Sequence, residues 1–188
     1  MKKILCTLVV ILFVGLSAWA QQPTFVKNDN LVSIGIGLVK TGYYGYTGYG
    51  YASAGRSGMP LLFASYERCI WDNIFNEKSS LGVGGLFGFS STKYRDSWRY
   101  TDIVVGARGV FHYALVDKLD TYGGFGFGLA FSSFKYPNDI DYRYNGSTTR
   151  FFPTFNVGAR YYFTDAIAAF TEFGYNYTVI SLGATFKF

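Results

Sequence analysis

Few side chains in the chain could carry acid–base, nucleophilic or metal chemistry, and they are scattered. His112 is the single histidine, and so the residue suited by type to act as a general base near neutral pH. A base needs a nucleophile or an acid converging on the same point, and no Ser/His/acid set is evident around it. Asn138, Asp139 and Asp141 offer oxygens to a divalent cation, but a calcium site takes six or more. Arg143 beside them opposes one, so a solvated loop is expected. Cys69 has no partner outside the N-terminal segment that holds Cys6, and is expected to be a small packed residue. From Gly42 to Tyr51 the chain interleaves five tyrosines, Tyr43, Tyr44, Tyr46, Tyr49 and Tyr51, with four glycines. Tyrosine supplies rigid contact area and glycine supplies adaptability, as in binding loops. The same residues would equally extend a strand into an aromatic girdle at a membrane interface, and the sequence supports both. No metal or cofactor motif is present. Basic residues occur singly, which excludes a nucleic-acid partner.

The elements that position these residues begin after an export signal. Lys2-Lys3, the apolar run Ile4 to Leu16, and small residues at Ala18 and Ala20 form a secretory leader over residues 1–20. Its 13-residue apolar run is shorter than the roughly 20 residues of a spanning helix. Cys6 lies early in that run rather than after a cleavage box, so it is not an acylation site. Residues 21–188 form one domain. Over the whole chain, 17 Tyr, 19 Phe, 3 Trp and 23 Gly accompany only 15% charged residues. A soluble domain of this size has too little interior for so many rings, yet no stretch approaches ~18 continuous apolar residues. A transmembrane barrel reconciles the two, because lipid-facing residues alternate with small or polar residues facing the lumen.

Period-2 alternation predicts eight strands. They are Leu31 to Val39, Pro60 to Ile70, Ser80 to Ser90, Tyr100 to Ala114, Tyr122 to Phe134, Arg150 to Phe163, Ala166 to Tyr175 and Thr178 to Phe188. The fifth is the cleanest, with Phe125, Phe127, Leu129 and Phe131 outward and Gly124, Gly126 and Gly128 inward. A hairpin repeats within the series: Phe89-Ser90-Ser91-Thr92-Lys93-Tyr94 matches Phe131-Ser132-Ser133-Phe134-Lys135-Tyr136. The strands that follow carry Val105-Gly106-Ala107-Arg108 and Val157-Gly158-Ala159-Arg160. The fold class is therefore an all-β, up-and-down antiparallel transmembrane barrel of eight strands.

The strand pattern and the alternating aromatic terminus, Phe186 and Phe188, resemble the eight-stranded outer-membrane barrel superfamily that includes OmpX and the membrane domain of OmpA. The resemblance covers residues 21–188 and identifies the class rather than a member. It implies both termini in the periplasm and Phe186 and Phe188 as the signal read by the barrel-assembly machinery. It also implies outer-membrane lipid and lipopolysaccharide as surroundings. The outer loops would be Lys40 to Met59, Ser91 to Arg99, Lys135 to Thr149 and Asn176-Tyr177. The inner turns would be Trp71 to Ser79, Leu115 to Asp120 and Thr164-Asp165. Trp71 and Trp98 suit the two interface belts.

Eight strands leave an interior that side chains can fill. The alternation puts mainly Gly, Ala and Ser there, with Glu67, Arg108, Arg160 and Glu172 as an ionised network expected to pair. A structural plug is favoured over an ion path, although the inward glycines leave room for a partly hydrated lumen. His112 falls inside near the periplasmic end, away from the outer leaflet where lipid-modifying barrel enzymes work. The expectation is a non-enzymatic, monomeric outer-membrane protein with a largely filled lumen. It would act in envelope integrity or bind an unidentified extracellular ligand through its loops. A narrow channel for small or apolar solutes is the alternative, and a lipid-modifying enzyme the least favoured.

Overall fold

A computed structural model of the chain describes residues 24–38, 56–94, 98–135, 146–175 and 178–188. The predicted leader, the Tyr43 to Tyr51 run and the Asn138/Asp139/Asp141 group lie outside the described residues. The architecture is a closed antiparallel barrel of eight strands. They are β1 (Asn30–Gly37), β2 (Leu61–Asp72), β3 (Ser79–Tyr94), β4 (Trp98–Val116), β5 (Leu119–Lys135), β6 (Gly146–Tyr162), β7 (Ile167–Tyr175) and β8 (Ile180–Lys187). A three-residue segment, Arg56–Gly58, lies just ahead of β2 and pairs with the far end of β3. Each strand pairs with the next, and β1 closes the ring on β8 from Leu31 opposite Lys187 to Gly37 opposite Ser181.

The sequence produces this sheet because its alternation is strict and its outward residues are β-branched or aromatic, types that fit a pleated surface. On β5, Phe125 is 67% exposed, while every described even-numbered residue from Asp120 to Ala130 is buried. The same contrast recurs at Ile34, Phe155, Ile167 and Phe186. A protein turned apolar side outward belongs in a bilayer, and with its ring closed no edge leaves backbone groups unpaired there. Two register shifts interrupt the ladders, between Cys69 and Trp71 and between Ala114 and Val116. Each sits near the rim where the described residues begin and end, the terminal rim.

Strand ends depart from expectation in one way that matters. Leu115 to Asp120 was expected to be a turn, but the ladder continues to Val116 and resumes at Leu119. Only Asp117 and Lys118 remain outside it, and Lys118 adopts a left-handed φ of 62°. Asp120 is therefore a strand residue pointing into the barrel. At the opposite rim β3 and β4 extend through Tyr94 and from Trp98, leaving only residues 95–97 of the expected second loop.

Large neighbours occupy the space over several of the inward glycines. A Cβ on Gly158 would meet Tyr122 at 2.5 Å, one on Gly35 would meet Phe63 at 2.6 Å, and one on Gly124 would meet Asn156 at 2.8 Å. Gly84 and Gly126 flank Arg108 on the two adjacent strands, and a Cβ on Gly126 would come within 2.7 Å of the Arg108 Cα. Gly109, on the outer face, has nothing within 4 Å of the same position. Gly126→Ala should therefore lower stability in urea titration by about 2 kcal/mol, whereas Gly109→Ala should stay within about 0.5 kcal/mol of the parent. Equal effects at the two positions would show that the lumen is loosely filled.

Candidate functional site

The inward residues of β4 give the order of the lumen from the terminal rim outward: His112, Val110, Arg108, Gly106, Val104 and Asp102. Around His112 and Arg108 the neighbouring strands deliver Glu67 from β2, Asp120 and Tyr122 from β5, Arg160 from β6 and Glu172 from β7. All four residues expected to form the ionised network are in this layer and inside the barrel. Arg108 Nη1 donates to Glu172 Oε2 at 2.9 Å, and its Nη2 lies 3.7 Å from Glu67 Oε2. Arg160 Nη1 donates to Asp120 Oδ2 at 3.0 Å, a carboxylate outside the expected set.

Asp120 and His112 are the members that the sequence reading left out of the network. His112 Nδ1 is 2.8 Å from Asp120 Oδ2, and His112 Nε2 hydrogen-bonds Glu67 Oε1. Both ring nitrogens thus face carboxylates, and His112, Arg108 and Arg160 stand against Glu67, Glu172 and Asp120. His112, Asp120 and Arg160 are each no more than 2% exposed in their side chains. Tyr122 fits between the two halves: its hydroxyl donates to Glu172 at 3.4 Å and its ring lies 4.9 Å beneath the Arg160 guanidinium. The parity that places Gly124 inward already places Tyr122 and Asp120 inward, so the signal for Asp120 was present once the turn was shortened.

Two further layers close the barrel above this one. Leu61, Val104, Ala130 and Phe152 form a buried apolar cluster against which Phe63 and Leu86 pack, and Phe63 meets Phe170 edge-on. The expectation of a small-residue lumen missed this cluster. Beyond it, Asp102 accepts hydrogen bonds from Ser90 Oγ at 3.2 Å and Ser132 Oγ at 2.7 Å. Asn156 lies on the charged side of the apolar layer, and its buried side-chain amide has no hydrogen-bond partner among the described residues.

The chain ahead of β1 covers the terminal rim. Phe25 is 2% exposed, its ring centroid is 4.7 Å from that of His112, and it packs with Leu31 and Cys69. The turn carrying it is tied to two strands, β2 and β8. Lys27 N donates to Asp72 Oδ2 at 3.1 Å, Asn28 N to the Cys69 carbonyl at 3.1 Å, and Lys187 Nζ to the Thr24 carbonyl at 3.0 Å. Asn28 takes a φ of 76°, a region asparagine tolerates. Nothing in the sequence pattern marked this cap. On the outer face Phe186 and Phe188 stack at 5.8 Å, both exposed.

Both nitrogens of His112 are committed to carboxylates, and Cys69 is buried beneath Phe25. Among the described residues no group of His, Cys, Asp and Glu is set to hold a metal ion.

Two outcomes follow. Arg108→Glu should cost about 3–5 kcal/mol in urea titration by leaving Glu172 and Glu67 facing like charge in a buried site. Adding Glu172→Arg should recover part of that loss. Equal stability of the single and double variants would show that the charges do not act as a pair. In a Cys6→Ser background, Cys69 should react slowly with a charged, water-soluble thiosulfonate, and Phe25→Ala should accelerate that reaction at least several-fold. Equal rates would show that Phe25 does not seal the rim.

No protein-family model matches the sequence, and neither does any curated relative. Solved structures do match. The crystal structure of Ail, the attachment invasion locus protein of Yersinia pestis, superposes with a TM-score of 0.56 at 14% identity, over 87% of this chain and 100% of that one. Ail in complex with the heparin analogue sucrose octasulfate gives 0.55 at 11% identity, with the same coverage. The N-terminal β-barrel domain of Pseudomonas aeruginosa OprF gives 0.49 at 14% identity, over 87% of this chain and 98% of that one. The chain is thus similar in fold to Ail, and that fold is a closed antiparallel β-barrel of eight strands.

Proposed function

We propose that the protein is a non-enzymatic integral outer-membrane protein with a closed lumen, acting through its outer loops or by contributing to envelope integrity. The observation that carries this reading is the stack of three closures inside one narrow barrel. Phe25 seals the terminal rim, the Arg108/Glu172/Glu67/His112/Asp120/Arg160 layer fills the next level, and the Leu61/Val104/Phe152 cluster fills the level above. An ion crossing this path would have to shed its hydration within an apolar layer. In this reading residues 1–20 direct export, the terminal rim faces the periplasm, and Phe186 and Phe188 engage the assembly machinery. With the interior occupied, binding of an extracellular ligand falls to the segments at the opposite rim, where loops commonly carry function.

A second reading, a narrow channel, draws support from Asn156, whose buried amide has no hydrogen-bond partner among the described residues and the polarity that favours water. Planar-bilayer recording separates the two. The purified protein should give no reproducible single-channel steps, and Phe25→Ala alone should not create them, because the apolar layer persists. Steady steps of fixed amplitude from the unmodified protein would overturn the closed-lumen reading in favour of the channel.

A further inference from the structure

The outer face of the barrel changes character abruptly toward the rim opposite the termini. On β3, β4 and β5 the register sets Phe89, Ile103 and Phe131 side by side, then Ser91, Thr101 and Ser133, then Lys93, Arg99 and Lys135. Apolar side chains are followed by hydroxyls and then by cations, three abreast at each level. Lys93, Arg99 and Lys135 are all exposed. Like charges directly opposite one another on adjacent strands destabilise a sheet, and the two described rows beneath them contain no carboxylate. The neighbour of Lys93 on the other side is Ser57. Three cations held in register on adjacent strands form a site for anionic groups.

We infer that this row binds the phosphates of an anionic lipid headgroup in the leaflet surrounding the outer rim. Height supports a lipid occupant. Successive outward rows are two residues, about 6.7 Å, apart along a strand, and with the usual tilt each adds roughly 5 Å of height. The cations therefore stand about 10 Å above the last apolar row, level with the headgroups that flank a hydrocarbon core ~30 Å thick. Long Lys and Arg side chains can also reach down toward that plane. Width supports a particular headgroup. Strands lie about 4.8 Å apart, so the row spans about 10 Å, which is wide for a single phosphate and suits a headgroup with two, as in the bis-phosphorylated lipid A of lipopolysaccharide. The hydroxyls of Ser91, Thr101 and Ser133 lie just below as further donors. The inference rests on the outer-membrane reading for the identity of the lipid, and on the register for its chemistry.

The test uses the protein purified from its own membrane and reconstituted in phosphatidylcholine vesicles, alone or with bis-phosphorylated or dephosphorylated lipid A. The urea midpoint should rise only with the phosphorylated form, and high salt should reduce the rise. The Lys93→Gln/Arg99→Gln/Lys135→Gln variant should match the parent in phosphatidylcholine alone and lose most of the rise. Arg99→Gln, at the centre of the row, should lose part of it and serves if the triple variant does not assemble. An unchanged rise in these variants, or no rise in the parent, would overturn the proposal. Adding a soluble sulfated polysaccharide to lipid-A-free vesicles should leave the midpoint unchanged, and a comparable rise there would overturn the lipid assignment in favour of a soluble polyanion. Membrane fractionation is read separately. Recovery of the protein outside the outer membrane would remove the proposed function without altering the phosphate dependence measured in vesicles.

Discussion

Every backbone amide and carbonyl in the membrane-facing wall must find its partner within the wall, because a hydrocarbon surrounding offers none. Here that requirement is met at the seam between β1 and β8. Eight-residue strands pair there from Leu31 opposite Lys187 to Gly37 opposite Ser181, and the Ser33 and Thr185 hydroxyls bond across the seam inside, at 2.8 Å. Once the ring is closed, each strand has one face toward lipid and one toward a lumen of fixed width. The parity of every side chain, and therefore the membership of the charged layer, is set by that closure.

Within the fixed width, the charged layer is held by glycines as much as by ion pairs. Arg108 reaches Glu172 and Glu67 because Gly84 and Gly126 stand beside it on both neighbouring strands. Tyr122 reaches Glu172 across the space over Gly158. The carboxylates are shared rather than matched one to one: Asp120 serves both His112 and Arg160, and Glu67 meets both His112 and Arg108. Removing either Asp120 or Glu67 therefore leaves two cationic partners incompletely met.

The wall was legible in the sequence because alternation is a local property. Runs such as Phe125-Gly126-Phe127-Gly128 declare both strand and orientation without any long-range information. The interior was legible only by face. Parity placed Glu67, Arg108, Arg160 and Glu172 inward, but which carboxylate meets which guanidinium depends on stagger around the ring, and Arg160 found Asp120. Asp120 itself was hidden by composition, since Val116-Asp117-Lys118-Leu119-Asp120 has the polarity of a turn although only two of its residues lie outside the ladder. The apolar layer was hidden for a different reason. Leu61, Leu86, Val104 and Phe152 come from four strands, and no single strand contributes enough of them to disturb its small-and-polar inward pattern. Phe25 was hidden because a cap formed by irregular chain has no period to detect.

The facing of large side chains onto glycines has a consequence for how such a lumen can change over evolutionary time. A glycine there has no volume of its own to give; the volume over it belongs to a residue on another strand. Tyr122 can become smaller only if Gly158 becomes larger, and Gly124 can grow only if Asn156 recedes. The unit of inheritance inside the barrel is then the pair rather than the residue. Drift in the lumen has to proceed by coordinated exchange between strands, whereas the lipid-facing positions, which touch only fluid, are free to vary one at a time.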